Sequence, residues 1–274
     1  MSEGSSPPAS KLTTVALAAR KGTAERTVAV TAYDVAFARL ADQSGVDIVL
    51  VGDSVGMVIQ GNASTLPVTV DEMVYHCRAA SRGVRRAHLV ADMPFMSYQA
   101  SIEDGMRSAG RLVKEGHAEA VKLEGGVEVA ELCRRLVRAG IPVMGHVGLT
   151  PQSIHQLGGF KVQGRTDAQR AQIIDDARAL SDAGAYAIVL EAIPHALAGE
   201  ITHAISALTI GIGAGADCDG QVMVMHDLLG LQPSWKPRFV RRYAEMGKAA
   251  GEAFAAYAAD VRAGTFPAAE ETYE

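Results

Sequence analysis

The stretch Asp47–Gly56, DIVLVGDSVG, decides the fold. Its four consecutive apolar residues, Ile48–Val51, do not alternate with polar ones, and three of them are β-branched. Such an unbroken run is typical of a strand that is covered on both faces, as in a parallel sheet. The run breaks at Gly52 and is followed directly by Asp53 and Ser54. The stretch therefore predicts a buried parallel strand with polar side chains at its carboxyl end.

The same arrangement, an apolar run that ends in ionisable residues, recurs three times downstream. Asp92 follows LVA, Lys122 and Glu124 lie in AVKLE, and Glu191 follows AIVL. Because the carboxyl ends of parallel strands share one face of the fold, we expect these side chains to converge there. A single Asp at a strand end is more often a helix cap or a turn residue. Four acidic strand ends together favour a shared site.

Amphipathic helical segments separate the apolar runs. Thr69 with Glu72, and Thr166 with Gln169, have the spacing of capping boxes at two helix starts. Strands that alternate with such helices form right-handed βαβ units, and eight of them predict a (β/α)₈ TIM barrel. A doubly wound open sheet is the alternative. We predict the strands at residues 27–31, 47–51, 87–91, 120–123, 142–144, 187–190, 207–210 and 221–225.

Composition limits the class of protein further. The 274 residues are 48% hydrophobic and 21% charged, which is ordinary for a globular protein. We expect a disordered tail over residues 1–9 and one domain over 10–274, with a short helix at 11–21 and a helical extension after the proline-containing stretch 233–237. A net charge of −5 disfavours nucleic-acid binding.

The absence of recognisable targeting signals and the few, scattered cysteines predict a cytoplasmic protein. The sequence has no apolar run near the roughly 18 residues of a membrane-spanning helix, and its first residues do not resemble a secretory signal. Its three cysteines, Cys77, Cys133 and Cys218, are too few and too scattered for a disulfide framework or a zinc site.

The acidic strand ends predict a metal site. Asp53, Asp92 and Glu124 end neighbouring strands, and three adjacent carboxylates raise one another's pKa unless a cation lies among them. Hard oxygen ligands without a nearby His or Cys pair favour Mg²⁺ over zinc. Glu191, across the barrel mouth, is free to act as a base. Lys122 lies on the same strand face as Glu124 and is placed to pair with a substrate carboxylate or oxyanion.

Some residues remain open to two interpretations. His146 either lines the site or bonds to a loop carbonyl. The glycine turn Gly211–Gly215 is similar to phosphate-binding turns, but any tight turn requires glycine. We expect His76, His88 and His117 to be structural or exposed.

Several segments, taken in chain order over roughly residues 10 to 240, resemble the ketopantoate hydroxymethyltransferase family. They include GDSVGMVIQG (52–61), the segment 66–76, ADMPFMSY (91–98), VKLEGG (121–126), GHVGLTPQS (145–153), GGFKVQGRT (158–166), LEAIP (190–194) and IGIGAG (210–215). The resemblance implies a phosphoenolpyruvate-mutase-like barrel, commonly a homodecamer, that uses Mg²⁺. It also implies 5,10-methylenetetrahydrofolate as the one-carbon donor to 3-methyl-2-oxobutanoate, which gives 2-dehydropantoate in pantothenate synthesis.

The resemblance also implies residue roles. The metal positions of the family are matched by Asp53, Asp92 and Glu124, its oxoacid-binding positions by Asp53, Ser54, Asp92 and Lys122, and its proton acceptor by Glu191.

Two rival functions are disfavoured by particular residues. A Mg²⁺-dependent lyase or mutase with the same barrel typically carries a reactive cysteine in a Lys-x-Cys-Gly-His loop, whereas this chain has KLEGG there. A non-catalytic oligomeric binding protein would have lost Glu191 or the metal-binding acids, and all of them are present.

Overall fold

Eight parallel strands pair in chain order and close into a barrel in the computed structural model, which describes residues 10–232 and 236–273. The first strand pairs with both the second and the eighth, so the sheet has no free edge. The predicted (β/α)₈ barrel is confirmed, and the doubly wound alternative is wrong. The strands are β1 (Thr27–Thr31), β2 (Ile48–Val51), β3 (His88–Asp92), β4 (Ala120–Glu124), β5 (Val143–Gly148), β6 (Ala187–Glu191), β7 (Leu208–Ile212) and β8 (Gly220–Met223).

Helices follow most strands, as the amphipathic segments predict. The N-terminal helix is shorter than the predicted 11–21, and the predicted tail at 1–9 lies outside the described residues. The helices are α1 (Thr14–Ala18), α2 (Val35–Gln43), α3 (Val55–Val58), α4 (Val70–Ser81), α5 (Ile102–Lys114), α6 (Ala130–Arg138), α7 (Ile154–Leu157), α8 (Asp167–Asp182), α9 (His195–Ala204), α10 (Met225–Leu229) and α11 (Met246–Ala263).

Both predicted capping boxes are present. At the start of α4, the Thr69 hydroxyl accepts a bond from the Glu72 N–H, and the Glu72 carboxylate accepts one from the Thr69 N–H at 2.7 Å. Thr166 and Gln169 form the same reciprocal pair at α8. Each pair satisfies backbone donors that the first helical turn leaves free, which fixes where the helix begins.

Strand β5 is longer than its apolar run. It continues through Gly145 and His146 to Gly148, although the apolar pattern predicts only residues 142–144. A β-carbon at Gly145 would lie 2.7 Å from Cδ1 of Leu180 on α8, so glycine inside this strand makes room for the Leu180 side chain to pack closely. Strand β7 likewise extends to Ile212, which makes the first residues of the predicted glycine turn part of the sheet.

Ion pairs lie at the amino ends of the strands, opposite the predicted site. Asp47 forms ion pairs with Arg20 Nη1 and Arg86 Nη2, each at 2.8 Å. Asp219, just before β8, pairs with Lys21 Nζ at 2.9 Å. The barrel interior between the two ends is apolar, with Ile48, Leu50, Val90, Ala120, Met144, Val189, Ile210 and Val222 in one buried cluster.

A second compact unit begins after Met223 and contains α10 and α11. Only α11 lies after the stretch 233–237, where the helical extension is predicted, and α10 was not predicted. Within this unit, the Tyr243 N–H donates to the Leu228 carbonyl at 2.8 Å, and the Gly247 N–H donates to the Gly230 carbonyl at 3.1 Å. Part of the predicted separating stretch 233–237 lies outside the described residues. No helix in residues 10–232 and 236–273 has the length and apolar character needed to cross a membrane.

Candidate active site at the carboxyl ends of the strands

Every residue proposed from the sequence for the site lies at the carboxyl ends of β2, β3, β4 and β6. Lys122 Nζ lies 2.9 Å from Asp92 Oδ1 and 4.0 Å from Glu124 Oε1. The Asp53 N–H donates to Asp92 Oδ2 at 3.0 Å. These four residues are at most 6% exposed, whereas the Glu191 side chain is 17% exposed. The strand ends therefore assemble a buried ionic cluster with one accessible acid.

The turn after β2 places Asp53 and Ser54 by close backbone approach. A β-carbon at Gly52 would lie 2.7 Å from the Ser54 hydroxyl oxygen, so glycine leaves room for the Ser54 side chain in its observed orientation. Ser54 precedes α3 but makes no side-chain capping bond. Its hydroxyl instead lies 2.9 Å from the hydroxyl of the buried Tyr33. Sequence reasoning missed Tyr33, because a lone tyrosine after an apolar strand carries no signal of its own.

His146 lines the site, which decides between its two interpretations. Its Nδ1 lies 3.3 Å from Glu124 Oε1 and 3.3 Å from Lys122 Nζ. Its Nε2 lies 3.2 Å from Glu191 Oε2. The imidazole therefore connects the buried cluster to Glu191, which lies two strands away from Glu124.

The electrostatics of the cluster are strongly perturbed. Burial, followed by repulsion from Asp92 and Glu124, holds the pKa of Asp53 well above its usual range. Burial also raises the pKa of Asp92, although Lys122 opposes it. For Glu124 the effect of burial is outweighed, chiefly by the bond to His146, and its pKa is lowered. Burial and Lys122 disfavour a charged His146, yet bonds to Glu124 and Glu191 raise its pKa to about 9.

The backbone around Glu191 is tightly constrained. Gly148 has a φ of +94°, and a β-carbon there would lie 2.4 Å from the Glu191 carbonyl oxygen. That carbonyl accepts a bond from the Leu149 N–H at 2.9 Å. Ala192, the next residue after Glu191, has a φ of +48°, a left-handed conformation that is unfavourable for alanine. Strain of this kind persists only where the surroundings enforce it, and here it fixes the backbone position from which the Glu191 side chain extends.

A neutral residue, Gln152, lies in the middle of the acidic cluster and was not predicted. It is 5% exposed, and its Nε2 donates to Asp53 Oδ2 at 2.8 Å. Its backbone N–H donates to Glu124 Oε2 at 2.9 Å. The hydroxyl of the buried Tyr98 donates to its Oε1 at 2.8 Å. A search for ionisable strand ends passes over amides, although both residues lie within segments that carry the family resemblance.

The donor set suits a magnesium ion, although no preassembled cluster is present. In the described part of the chain, no group of three or more His, Cys, Asp or Glu side chains is arranged to hold a metal ion. Asp53, Asp92 and Glu124 nevertheless place three buried carboxylates against the single ammonium of Lys122. Carboxylate oxygens are the ligands that Mg²⁺ prefers, and a bound divalent cation would offset the repulsion among the three carboxylates. Their role as metal ligands remains a prediction.

Solved structures with the same fold define the structural class. A 2,3-dimethylmalate lyase, described as a PEP mutase/isocitrate lyase superfamily member, matches with a TM-score of 0.60 and 17% identity, covering 95% of this chain and 88% of its own. A phosphonopyruvate hydrolase in complex with oxalate and Mg²⁺ matches with a TM-score of 0.61 and 14% identity, covering 94% and 92%. The chain thus has the same (β/α)₈ barrel fold as these structures.

Sequence comparison gives the family. The chain matches the ketopantoate hydroxymethyltransferase family over residues 11–269. The 3-methyl-2-oxobutanoate hydroxymethyltransferase of Syntrophotalea carbinolica is 57% identical over 92% of this chain and 95% of its own length. The enzyme of the same name from Moorella thermoacetica is 53% identical over 97% and 98%. This chain belongs to the ketopantoate hydroxymethyltransferase family, so the family resemblance and the prediction of an enzyme of this kind are confirmed.

Proposed function

We propose that this enzyme transfers a hydroxymethyl group from 5,10-methylenetetrahydrofolate to 3-methyl-2-oxobutanoate, giving 2-dehydropantoate for pantothenate synthesis, with Mg²⁺ and with Glu191 as the base. The names of relatives more than 50% identical over nearly the whole chain support the reaction. One observation supports the base: Glu191 is the partly exposed acid of a site whose other carboxylates are at most 6% exposed.

Asp53, Asp92 and Glu124 are the residues that we assign to hold Mg²⁺. When bound there, the ion supplies Lewis acidity, which polarises the 2-oxo group and makes the C3–H more acidic. The complex of a phosphonopyruvate hydrolase with oxalate and Mg²⁺ supports this assignment at the level of the shared fold.

The remaining site residues bind the oxoacid and move the proton. Lys122 Nζ and the Ser54 hydroxyl, which is aligned by Tyr33, donate to the substrate carboxylate or to the developing oxyanion. A carboxylate oxygen of Glu191 takes the proton from C3 of the oxoacid. His146 Nε2, 3.2 Å from Glu191 Oε2, orients that carboxylate. The C3 carbon then attacks the methylene carbon of the folate as the bond from that carbon to N10 breaks, and N10 receives a proton. Water adds its hydroxyl to the same carbon as the bond to N5 breaks and N5 takes the second proton of the water, which releases 2-dehydropantoate and tetrahydrofolate.

Deuterium exchange at C3 of 3-methyl-2-oxobutanoate tests the first half of this reaction. Proton NMR in D₂O without folate, with and without EDTA, is run on the wild type, on Glu191→Gln and on Glu200→Gln. Glu200 lies on α9 and pairs with Arg170 outside the site, so its variant is a matched control. We expect exchange that requires metal, persists in the control and disappears in Glu191→Gln, while calorimetry shows that this variant still binds the oxoacid.

Two outcomes would contradict the proposal at different points. Undiminished exchange in Glu191→Gln would exclude Glu191 as the base. Absence of exchange in the wild type, even after tetrahydrofolate is added, would exclude enolisation and favour a binding protein.

Assembly and location are also proposals. We infer from the family resemblance that the chain assembles as a homodecamer and acts in the cytoplasm. Sedimentation equilibrium of the purified chain tests the assembly, and a mass well below ten chains would contradict it.

A further inference from the structure

Gln152 bonds to two of the three carboxylates to which the metal is assigned. Its side-chain Nε2 donates to Asp53 Oδ2 at 2.8 Å, and its backbone N–H donates to Glu124 Oε2 at 2.9 Å. It lies in a single 3₁₀ turn, Pro151–Ser153, directly after the β5 loop. Gln152 therefore bonds to one carboxylate oxygen of Asp53, at the end of β2, and to one carboxylate oxygen of Glu124, at the end of β4.

The orientation of the Gln152 amide is fixed by its neighbours. Nε2 faces two acceptors, Asp53 Oδ2 and the Met93 carbonyl at 2.9 Å. Oε1 faces two donors, the Tyr98 hydroxyl at 2.8 Å and Gln99 Nε2 at 2.9 Å. A flipped amide would place Oε1 against the Asp53 carboxylate oxygen and the Met93 carbonyl, neither of which carries a proton, so only one orientation satisfies both contacts. A buried amide with four matched partners is stiff, which suits a group that orients others.

Tyr98 extends the same arrangement to the backbone of Glu124. Its hydroxyl donates to Gln152 Oε1 and accepts from the Glu124 N–H at 3.0 Å. Glu124 is thus held at its carboxylate by Gln152 and at its backbone by Tyr98, and the two holding groups are bonded to each other. This closed ring of hydrogen bonds connects through Gln152 to Asp53.

We propose that Gln152 is a positioning residue that sets the separation of the Asp53 and Glu124 carboxylates for uptake of a divalent cation. This proposal rests on the Mg²⁺-dependent function given above. Residues that orient metal-binding carboxylates change metal affinity about 10- to 100-fold when they are replaced. Neither carboxylate is altered by a change at Gln152, so an effect on affinity would report positioning alone.

Two variants remove the amide donor while keeping the backbone N–H that bonds to Glu124. Gln152→Met removes all polarity at similar length, and Gln152→Leu removes it in a shorter side chain, so neither adds a charge beside the assigned metal site. Gln172→Met is the matched control, since Gln172 Nε2 donates to Asp176 Oδ1 at 2.9 Å on α8, outside the site. Mg²⁺ binding to the full-length, substrate-free enzyme is measured by isothermal titration calorimetry after EDTA treatment.

We expect Mg²⁺ to bind about 10- to 100-fold more weakly to both Gln152 variants and with unchanged affinity to Gln172→Met. Saturating Mg²⁺ should restore much of the kcat of Gln152→Met while its KM for the oxoacid stays near the wild-type value, which a general structural defect would not allow. Tyr98→Phe removes one anchor of the amide and should weaken Mg²⁺ binding by a smaller factor. If the Gln152 variants do not fold, the Mg²⁺ affinity of Tyr98→Phe tests the proposal instead.

The results separate this proposal from the proposed function. Wild-type enzyme that binds Mg²⁺, together with folded Gln152 variants that bind it within about threefold as tightly, would overturn the positioning role and leave the function standing. Unchanged affinity in Tyr98→Phe, where only that variant folds, would overturn it equally. Wild-type enzyme that binds no Mg²⁺ would overturn the metal-dependent function and the positioning role together.

Discussion

His88 should make the barrel lose stability as the pH falls from about 7 to about 4.5. This histidine begins β3 and is 3% exposed, with its Nδ1 3.6 Å from Glu119 and its ring against that of Tyr186. Burial, with a smaller contribution from the charge of Lys11, lowers its pKa to about 4, although Glu119 opposes the shift. Folding therefore holds His88 neutral where the unfolded chain would bind a proton.

The magnitude follows from the two pKa values. The unfolded histidine has a pKa of about 6.5, so the two states bind equal numbers of protons well above that value, and the linked stability is fully present there. Below it the unfolded state gains the proton first, and the free energy of unfolding falls as the pH falls toward about 4. The loss is about 1.4 kcal/mol at pH 5.5 and about 2.5 kcal/mol at pH 4.5.

Urea unfolding followed by circular dichroism measures this loss. Wild type, His88→Gln and His155→Gln are compared at about pH 7.5, 5.5 and 4.5, where His155 serves as an exposed control on α7. Other groups also titrate in this range, so the informative quantity is the difference between the slopes of the variants. His88→Gln should be less stable at pH 7.5 yet lose about 2.5 kcal/mol less than wild type on acidification. Parallel curves for wild type and His88→Gln would refute the reasoning.

Four further predictions concern the site and its scaffold. Lys122→Met leaves the buried carboxylates without the ammonium group of Lys122 and should lower the free energy of unfolding in urea by about 3–5 kcal/mol. A decrease below about 1 kcal/mol would contradict the burial of the ion pair between Lys122 and Asp92. Thr166→Ala removes a capping box and should cost about 1 kcal/mol, with Thr166→Ser as the control. Gly148→Ala should cost at least about 1 kcal/mol and should slow C3 exchange, because its β-carbon would meet the Glu191 carbonyl. Asp53→Asn should stabilise the EDTA-treated protein while abolishing turnover, and a lower urea midpoint would contradict this.

Local signals account for most of what the sequence predicts. Unbroken apolar runs locate β2 and β6 to within a residue, because strands buried on both faces need no alternation, and the run interrupted by Lys122 locates β4 equally well. The capping pair at Thr166 locates the start of α8, since both partners lie within one helical turn. The acids at these strand ends share a face by the geometry of any parallel barrel, so their convergence was predictable before any contact was known.

Contacts between distant segments account for the rest. His146 falls within β5 because Gly145 admits Leu180 of α8, a packing relation that no local pattern records. Gln152 and Tyr98 carry no charge, and their importance depends on partners 54 and 99 residues away in the chain. Apolar runs and ionisable residues in the sequence therefore identify the acids of the site but not the neutral residues that orient them.

The pKa values of buried aspartates are shifted in opposite directions at the two ends of the barrel, which distinguishes the structural ion pairs from the candidate site. At the amino ends, burial alone would raise the pKa of Asp47, but bonds from Arg20, the backbone and Arg86 outweigh it and lower the pKa. At the carboxyl ends, burial and mutual repulsion leave Asp53 and Asp92 with raised pKa values beside a single lysine. A fold selected only for stability has no reason to keep such an imbalance. The proposed divalent cation would supply the missing positive charge, so replacing Asp53 by asparagine should stabilise the metal-free fold while removing its activity.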